Sequence, residues 1–161
     1  MSELRIIVIS DTHGHVKDID YLMKDLEDVD YIIHTGDYIN DAEYIIKKYD
    51  MNVIAVVGNC DFNFTSSREI VKNIGNKVFF ITHGHEYNVK YDLNRIFYRG
   101  KELGADIVLF GHSHVPSYNK IDEMILLNPG SLSLPRGNST KSYAIIRING
   151  EEINVEIKNL K

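Results

Sequence analysis

The stretch Leu4–His15, "LRIIVISDTHGH", changes character at its middle. Up to Ser10 it is a continuous β-branched run. A strand with one wet face alternates apolar with polar residues, whereas a strand buried on both faces does not. The run therefore predicts a buried strand of an α/β sheet. It then breaks at once into Asp11, His13, Gly14 and His15. In α/β sheets, the crevice beyond the carboxyl ends of the strands is where ligands bind.

Working outward, "VKDIDYLMKDLED" places apolar residues at 16, 19, 22, 23 and 26, which is helical spacing. "DYIIHTGD" reads as a strand, "DAEYIIKKY" as a short helix capped by Asp41, and "NVIAVVGN" as a third strand. This alternation predicts a βαβαβ half with a parallel sheet. "REIVKNIGNKVFFITHG" predicts two strands joined by a tight turn at Gly75-Asn76, and "YDLNRIFYRGKELG" a helix ending near Gly104. "ADIVLFG" is another buried strand. Short strands follow in "PSYNKIDEMILLNPGS", "KSYAIIRING" and "EEINVEIKN", the last two joined at Asn149-Gly150. Two packed sheets with helices outside are the natural assembly. Without repeats or linkers, residues 1–161 are expected to form a single domain.

Composition excludes several classes. The formal charge is −5 and no basic run is present, so no stable nucleic-acid binding is expected. The single cysteine, Cys60, forbids an intrachain disulfide and suits a reducing, cytoplasmic compartment. No apolar stretch approaches a membrane span, and the N-terminus lacks a signal-peptide pattern.

The same pattern recurs after each buried strand. Asp11-Thr-His13 follows the first, Gly36-Asp37 the second, and Gly58-Asn59-Cys60-Asp61 the third. His83-Gly-His85 and Gly111-His112-Ser-His114 follow two strands of the second half. Six of the seven histidines form three His-x-His pairs, each just past a strand. His34, the seventh, sits on a strand and reads as a satisfied core residue. Separately, each cluster is an ordinary turn or cap; together they point to a metal site. His, Asp and Asn without a thiolate cluster suit Mn, Fe, Zn, Co or Ni. There are too many ligands for one ion, so two are inferred. Two cations need a shared anionic bridge, and Asp37 is the best candidate, because Gly36 lets the backbone approach closely. Such a pair acidifies a bridging water, giving hydroxide suited to in-line displacement at phosphorus.

These five blocks resemble the signature of the calcineurin-like metallophosphoesterases. The short chain, "GNCD", "THGH" and "NPGS" resemble the small YfcE-type phosphodiesterases within that superfamily. The resemblance covers about Ile6 to Tyr143. It implies a four-layer α/β/β/α sandwich of two mixed sheets, with two divalent ions at their carboxyl edge, Mn²⁺ foremost. It implies Asp11, His13, Asp37 and His114 on one ion, and Asp37, Asn59, His83 and His112 on the other. It implies hydrolysis of small organic phosphodiesters by a metal-bridging hydroxide, and it suggests a homo-oligomer, a dimer or tetramer. Many relatives carry His where this chain has Cys60, so assistance to the leaving group is expected to be weak. Asp61 is expected to orient Asn59 or another ligand. Substrate contacts are expected from Asn59, His15, His85 and Arg136, with Gly130 and Ser131 supporting His114. The alternatives are a phosphomonoesterase of the same fold, or a non-catalytic scaffold resembling a retromer subunit.

Overall fold

The computed structural model describes residues 3–62 and 66–161. Ten strands and three α-helices are built from them. β1 is Leu4–Ile9, α1 Val16–Lys24, β2 Tyr31–His34, α2 Asn40–Tyr49 and β3 Val53–Ala55. β4 is Glu69–Ile74, β5 Lys77–Thr82, α3 Asn94–Glu102, β6 Ile107–Leu109 and β7 Ser117–Ile121. β8 is Met124–Asn128, β9 Ser142–Asn149 and β10 Glu152–Asn159.

Two mixed five-stranded sheets result, ordered β10-β9-β1-β2-β3 and β4-β5-β6-β8-β7. β1, β2 and β3 are parallel, as the alternation of strand and helix predicts. β9 and β10 return from the far end of the chain and extend this sheet beside β1 in antiparallel fashion.

β1 explains why its sequence does not alternate. Ile6 and Val8 join Phe79, Ile81, Leu109 and Leu127 in the core between the sheets. Ile7 and Ile9 point the other way, onto Ile19 and Leu22 of α1 and Ile45 of α2. Opposite faces of one strand thus feed two apolar layers. The second sheet repeats this arrangement: Phe80 and Val108 pack outward against Ile96 and Phe97 of α3. Edge strand β10 has one wet face and does alternate, with Ile153, Val155 and Ile157 packed against the inter-sheet core.

The expected turns hold. Gly75-Asn76 joins β4 to β5, and Gly104 adopts a φ of +70° just beyond α3. One expectation fails. Asp41 does not cap α2: the helix starts at Asn40, Ile39 stands at the N-cap, and no side chain bonds there. The Asp41 carboxylate is buried and turned toward the loop after β1, accepting from Thr12 Oγ1 at 2.5 Å and Gly14 N at 2.9 Å. The buried Thr12 hydroxyl, which faces His34 Nε2 on its other side, thereby finds an acceptor for its own proton. Among the described residues, no helix is long and apolar enough to cross a membrane.

Candidate metal centre

Strands of both sheets deliver their polar ends to one rim. Within the first sheet, Asp11 N–H donates to the Gly36 carbonyl at 2.9 Å. In the second, Gly111 N–H donates to the His83 carbonyl at 2.8 Å. Asp11 Oδ2 joins the two, accepting from Ser10 Oγ at 2.7 Å and from the His112 backbone N–H at 3.0 Å. The loops after β1 and β6 are therefore held together across the sandwich.

Two carboxylates and three imidazoles close around this junction. Asp11 Oδ1 lies 3.2 Å from His114 Nε2 and 3.7 Å from His83 Nε2. Asp37 Oδ2 lies 3.3 Å from His83 Nε2 and 3.8 Å from His13 Nε2. Ligand atoms of Asp11, His13 and His114 fall within 4.8 Å of one another, as do those of Asp11, Asp37 and His83. Cys60 forms a third such group with His13 and Asp37. Asp37 therefore spans the cluster, where a bridging carboxylate would have to be. Asp11 also belongs to two groups, which the expected division between two ions did not include. His112 sits at the edge, its ring 5.1 Å from that of His83 and its Nδ1 3.2 Å from Asn59 Oδ1.

Backbone conformation carries an independent signal. Asp11, His13, Asp37, His112 and His114 all have positive φ, between +47° and +71°. A side chain in this region costs roughly 1–2 kcal/mol. Five residues outside the cluster adopt it too, so what marks this rim is the gathering of five such residues at the ends of strands. Close approach is also required: a Cβ on Gly58 would lie 2.1 Å from Asp37 Oδ1, and one on Gly36 2.8 Å from His83 Nδ1.

The donor set fits divalent cations. Asp11 Oδ1, His13 Nε2 and His83 Nε2 are buried without a well-formed hydrogen bond, and all three face the cluster. Outer partners fix the tautomers. His83 Nδ1 donates to the Thr35 carbonyl at 2.8 Å, and His114 Nδ1 to the Leu134 carbonyl at 2.6 Å. Each Nε2 lone pair is thereby aimed inward, the arrangement that orients imidazole ligands.

Charge is tuned to match. Burial opposes ionisation of Asp11, but the neighbouring imidazoles of His114 and His83 outweigh it and hold the carboxyl below its ordinary range. For Asp37, burial is likewise outweighed, by His83 and by the Cys60 N–H at 2.8 Å. His83 is shifted up despite burial, because Asp37 and Asp11 face it. Burial pushes His112 down to about 4, helped by the charge of His83. Burial, then the Asp37 charge, pushes the Cys60 thiol up to about 11.

The other residues singled out in the sequence divide. Asp61 acts on backbone rather than on Asn59: it accepts from Asp37 N at 3.1 Å, Gly58 N at 2.7 Å and Ile39 N at 2.7 Å. His85 is half-buried beside His83, with ring centroids 5.4 Å apart. His15 stands exposed before α1, and Arg136 is exposed on the loop whose backbone N–H reaches the His114 carbonyl. Ser131 supports two ligand loops, donating to the Asp11 carbonyl at 2.7 Å and accepting from Leu134 N at 2.7 Å. His34 is fully buried and bonded at both nitrogens, to Thr12 Oγ1 and Gly36 N–H. Sequence reasoning missed the Leu134 carbonyl, Thr35 and Asp41; only Asp41, an acid before an apolar run, gave any signal, and it read as a cap.

A family model, the calcineurin-like phosphoesterase superfamily domain, matches residues 4–151. The chain belongs to that superfamily. A probable metallophosphoesterase of Bacillus subtilis, YsnB, is 36% identical over 154 residues, covering 94% of this chain and 89% of YsnB. The phosphodiesterase YfcE of Escherichia coli aligns at 31% identity over 105 residues, 58% of this chain and 52% of YfcE. The crystal structure of a conserved Streptococcus pneumoniae protein superposes with a TM-score of 0.82 at 29% identity, covering 99% of this chain and 91% of that one. Vps29 of Entamoeba histolytica, solved with Zn²⁺, superposes with a TM-score of 0.75 at 20% identity, covering 98% and 100%. That last likeness concerns the fold alone.

Proposed function

We propose that this phosphoesterase hydrolyses small organic phosphodiesters with two divalent ions held by Asp11, His13, Asp37, Asn59, His83, His112 and His114. The observation that carries the reading is the ring of inward-facing, buried donors: Asp11 Oδ1, His13 Nε2 and His83 Nε2, with Asp37 spanning them. When bound, two divalent cations supply Lewis acidity toward a phosphoryl oxygen and acidify the water they share. The protein's own part is positional. Cys60 N–H occupies Asp37 Oδ1 and leaves Oδ2 turned to the centre. The Thr35 and Leu134 carbonyls hold His83 and His114 in orientation. Asn59 and His85 border the open side and reach toward phosphate oxygens. Cys60 keeps its proton and is a weak acid, so the leaving group departs with little help. Oxygen and imidazole donors favour Mn²⁺, with Fe, Zn, Ni and Co as alternatives. A half-buried thiol beside the centre suits a reducing cytoplasm.

Hydrolysis of bis-p-nitrophenyl phosphate and p-nitrophenyl phosphate on one preparation tests this. Chelator-stripped protein should be inactive, added Mn²⁺ should restore diester turnover, and Asp37→Asn should abolish it. A monoester rate above the diester rate would replace the phosphodiesterase by a phosphomonoesterase. Folded protein that binds no metal and turns over neither ester would make it a scaffold.

A further inference from the structure

Beside the candidate metal centre lies a cleft of about 430 Å³ whose walls include Asn59, Asp61, Phe62, Ser66, Arg68 and His85. Ligand pockets run from roughly 300 to 1,000 Å³, so it can take part of a small molecule. It borders the centre through Asn59 and His85. Asn59 Oδ1 lies 3.2 Å from His112 Nδ1, and the His85 ring lies 6.0 Å from that of His112. A phosphate held among the candidate ligands can therefore send one ester substituent into it.

The walls state what that substituent must be. Asp61 is turned to the backbone, its oxygens accepting from three N–H groups. Two of the other wall side chains offer donors to an anion. Ser66 brings a hydroxyl and Arg68 a guanidinium, while His85 Nδ1 is buried without a partner. The Arg68 side chain is 65% exposed and meets Glu86 at 3.6 Å. A solvent-screened surface pair of this kind yields readily to a better anion. Phe62 is 84% exposed and joins none of the apolar clusters formed by the described residues. A phenyl ring held in water, lining the same cleft as an arginine, offers a stacking surface together with a charge clamp.

We propose that this cleft is the subsite for one ester substituent, and that it selects a planar ring bearing a further anionic group, as in a nucleotide with a second phosphate. Phe62 stacks on the ring and Arg68 binds the anion, displacing Glu86. The assignment rests on the phosphodiesterase reading above.

A matched pair of substrates isolates the subsite. Thymidine 5′-(p-nitrophenyl phosphate), with and without a 3′-phosphate, loses the same p-nitrophenolate from the same bond. With Mn²⁺-loaded protein the 3′-phosphate should raise kcat/KM about tenfold, mainly through KM. Arg68→Gln should bring that ratio close to one, whereas Glu86→Gln, which frees Arg68, should raise it about threefold. Phe62→Ala should cut the preference for the thymidine ester over methyl p-nitrophenyl phosphate about tenfold. A ratio of one in the unmutated protein, or a ratio that Arg68→Gln leaves unchanged, would overturn the proposal. Bis-p-nitrophenyl phosphate on the same preparation separates the two levels. Metal-dependent turnover with a flat ratio rejects only the subsite; no turnover of any diester rejects the phosphodiesterase reading and the subsite with it.

Discussion

Substituting Gly58 by alanine puts the geometry of the centre to a direct test. The added Cβ would stand 2.1 Å from Asp37 Oδ1 and 2.8 Å from its Cγ. An ordinary contact begins near 3.4 Å, so the carboxylate must retreat by about 1.3 Å. Gly58 does not have positive φ, so the substitution adds no φ strain of its own; the collision falls on the Asp37 carboxylate and, at 2.8 Å, on the Asp37 backbone N, which must shift as well. Retreat breaks the 2.8 Å bond from Cys60 N–H and swings Oδ2 out of reach of His83 and His13. Overpacking of this size costs roughly 1–3 kcal/mol of stability. Displacement of a reacting geometry by about 1 Å costs on the order of 100-fold in rate. We therefore expect Gly58→Ala to remain folded, with Mn²⁺ affinity by calorimetry reduced at least about tenfold. Turnover of bis-p-nitrophenyl phosphate should fall about 100-fold. Gly104→Ala is the control: its Cβ meets nothing within 4 Å, but its φ of +70° imposes strain far from the site. It should lose a similar amount of stability with metal affinity unchanged. A folded Gly58→Ala protein that binds Mn²⁺ as tightly as the parent would refute the placement of Asp37.

Asp41→Ala leaves the Thr12 hydroxyl and Gly14 N–H without their acceptor, so a loss of roughly 1–3 kcal/mol is expected in urea unfolding; no loss would mean the buried contact is dispensable. Burial holds the His34 pKa below its usual value, so the unfolded chain takes up a proton as pH falls below about 6.5 while the folded chain resists. Stability should therefore drop from pH 7.5 to 5.5, and His34→Gln should flatten part of that slope. Asp20 is pulled down to about 2, first by Tyr49 and then by Tyr44. Its stabilising share is present above about pH 4 and is lost on approach to pH 2, so a double Tyr44→Phe, Tyr49→Phe variant should show a shallower acid transition. With Cys60 protonated, rates across aryl methyl phosphodiesters should rise steeply as the leaving-group pKa falls, and a flat series would show that something else donates the proton.

Much of the site was legible because strand burial and ligand placement are written in the same local pattern. A doubly buried strand is a continuous apolar run, and β1 and β6 could be located from their ends alone. Each run stops at the sheet rim, so residues such as Asp11 and His112 could be placed on one edge without knowing the sheet order. His34 was recognisable as a core residue for the same reason, lying inside a strand rather than after it.

Other features depend on contacts between segments far apart in the chain. Asp41 has the local signature of a cap, and only its meeting with Thr12 and Gly14 turned the carboxylate elsewhere. Apolar alternation marks β9 and β10 as strands but does not say which edge they join; packing placed them beside β1. That return carries the connecting loop past the centre, where Ser131 bonds the Asp11 carbonyl and the Leu134 carbonyl bonds His114. The cleft at Phe62 and Arg68 likewise exists only because the loop after β3 passes His85 of the other sheet. The sequence by itself determined which residue types stand at the ends of buried strands, since hydrophobic runs and the turns ending them are local. The tertiary structure alone decided which oxygens and nitrogens face one another, because those contacts span tens of residues and are set by sheet order and packing.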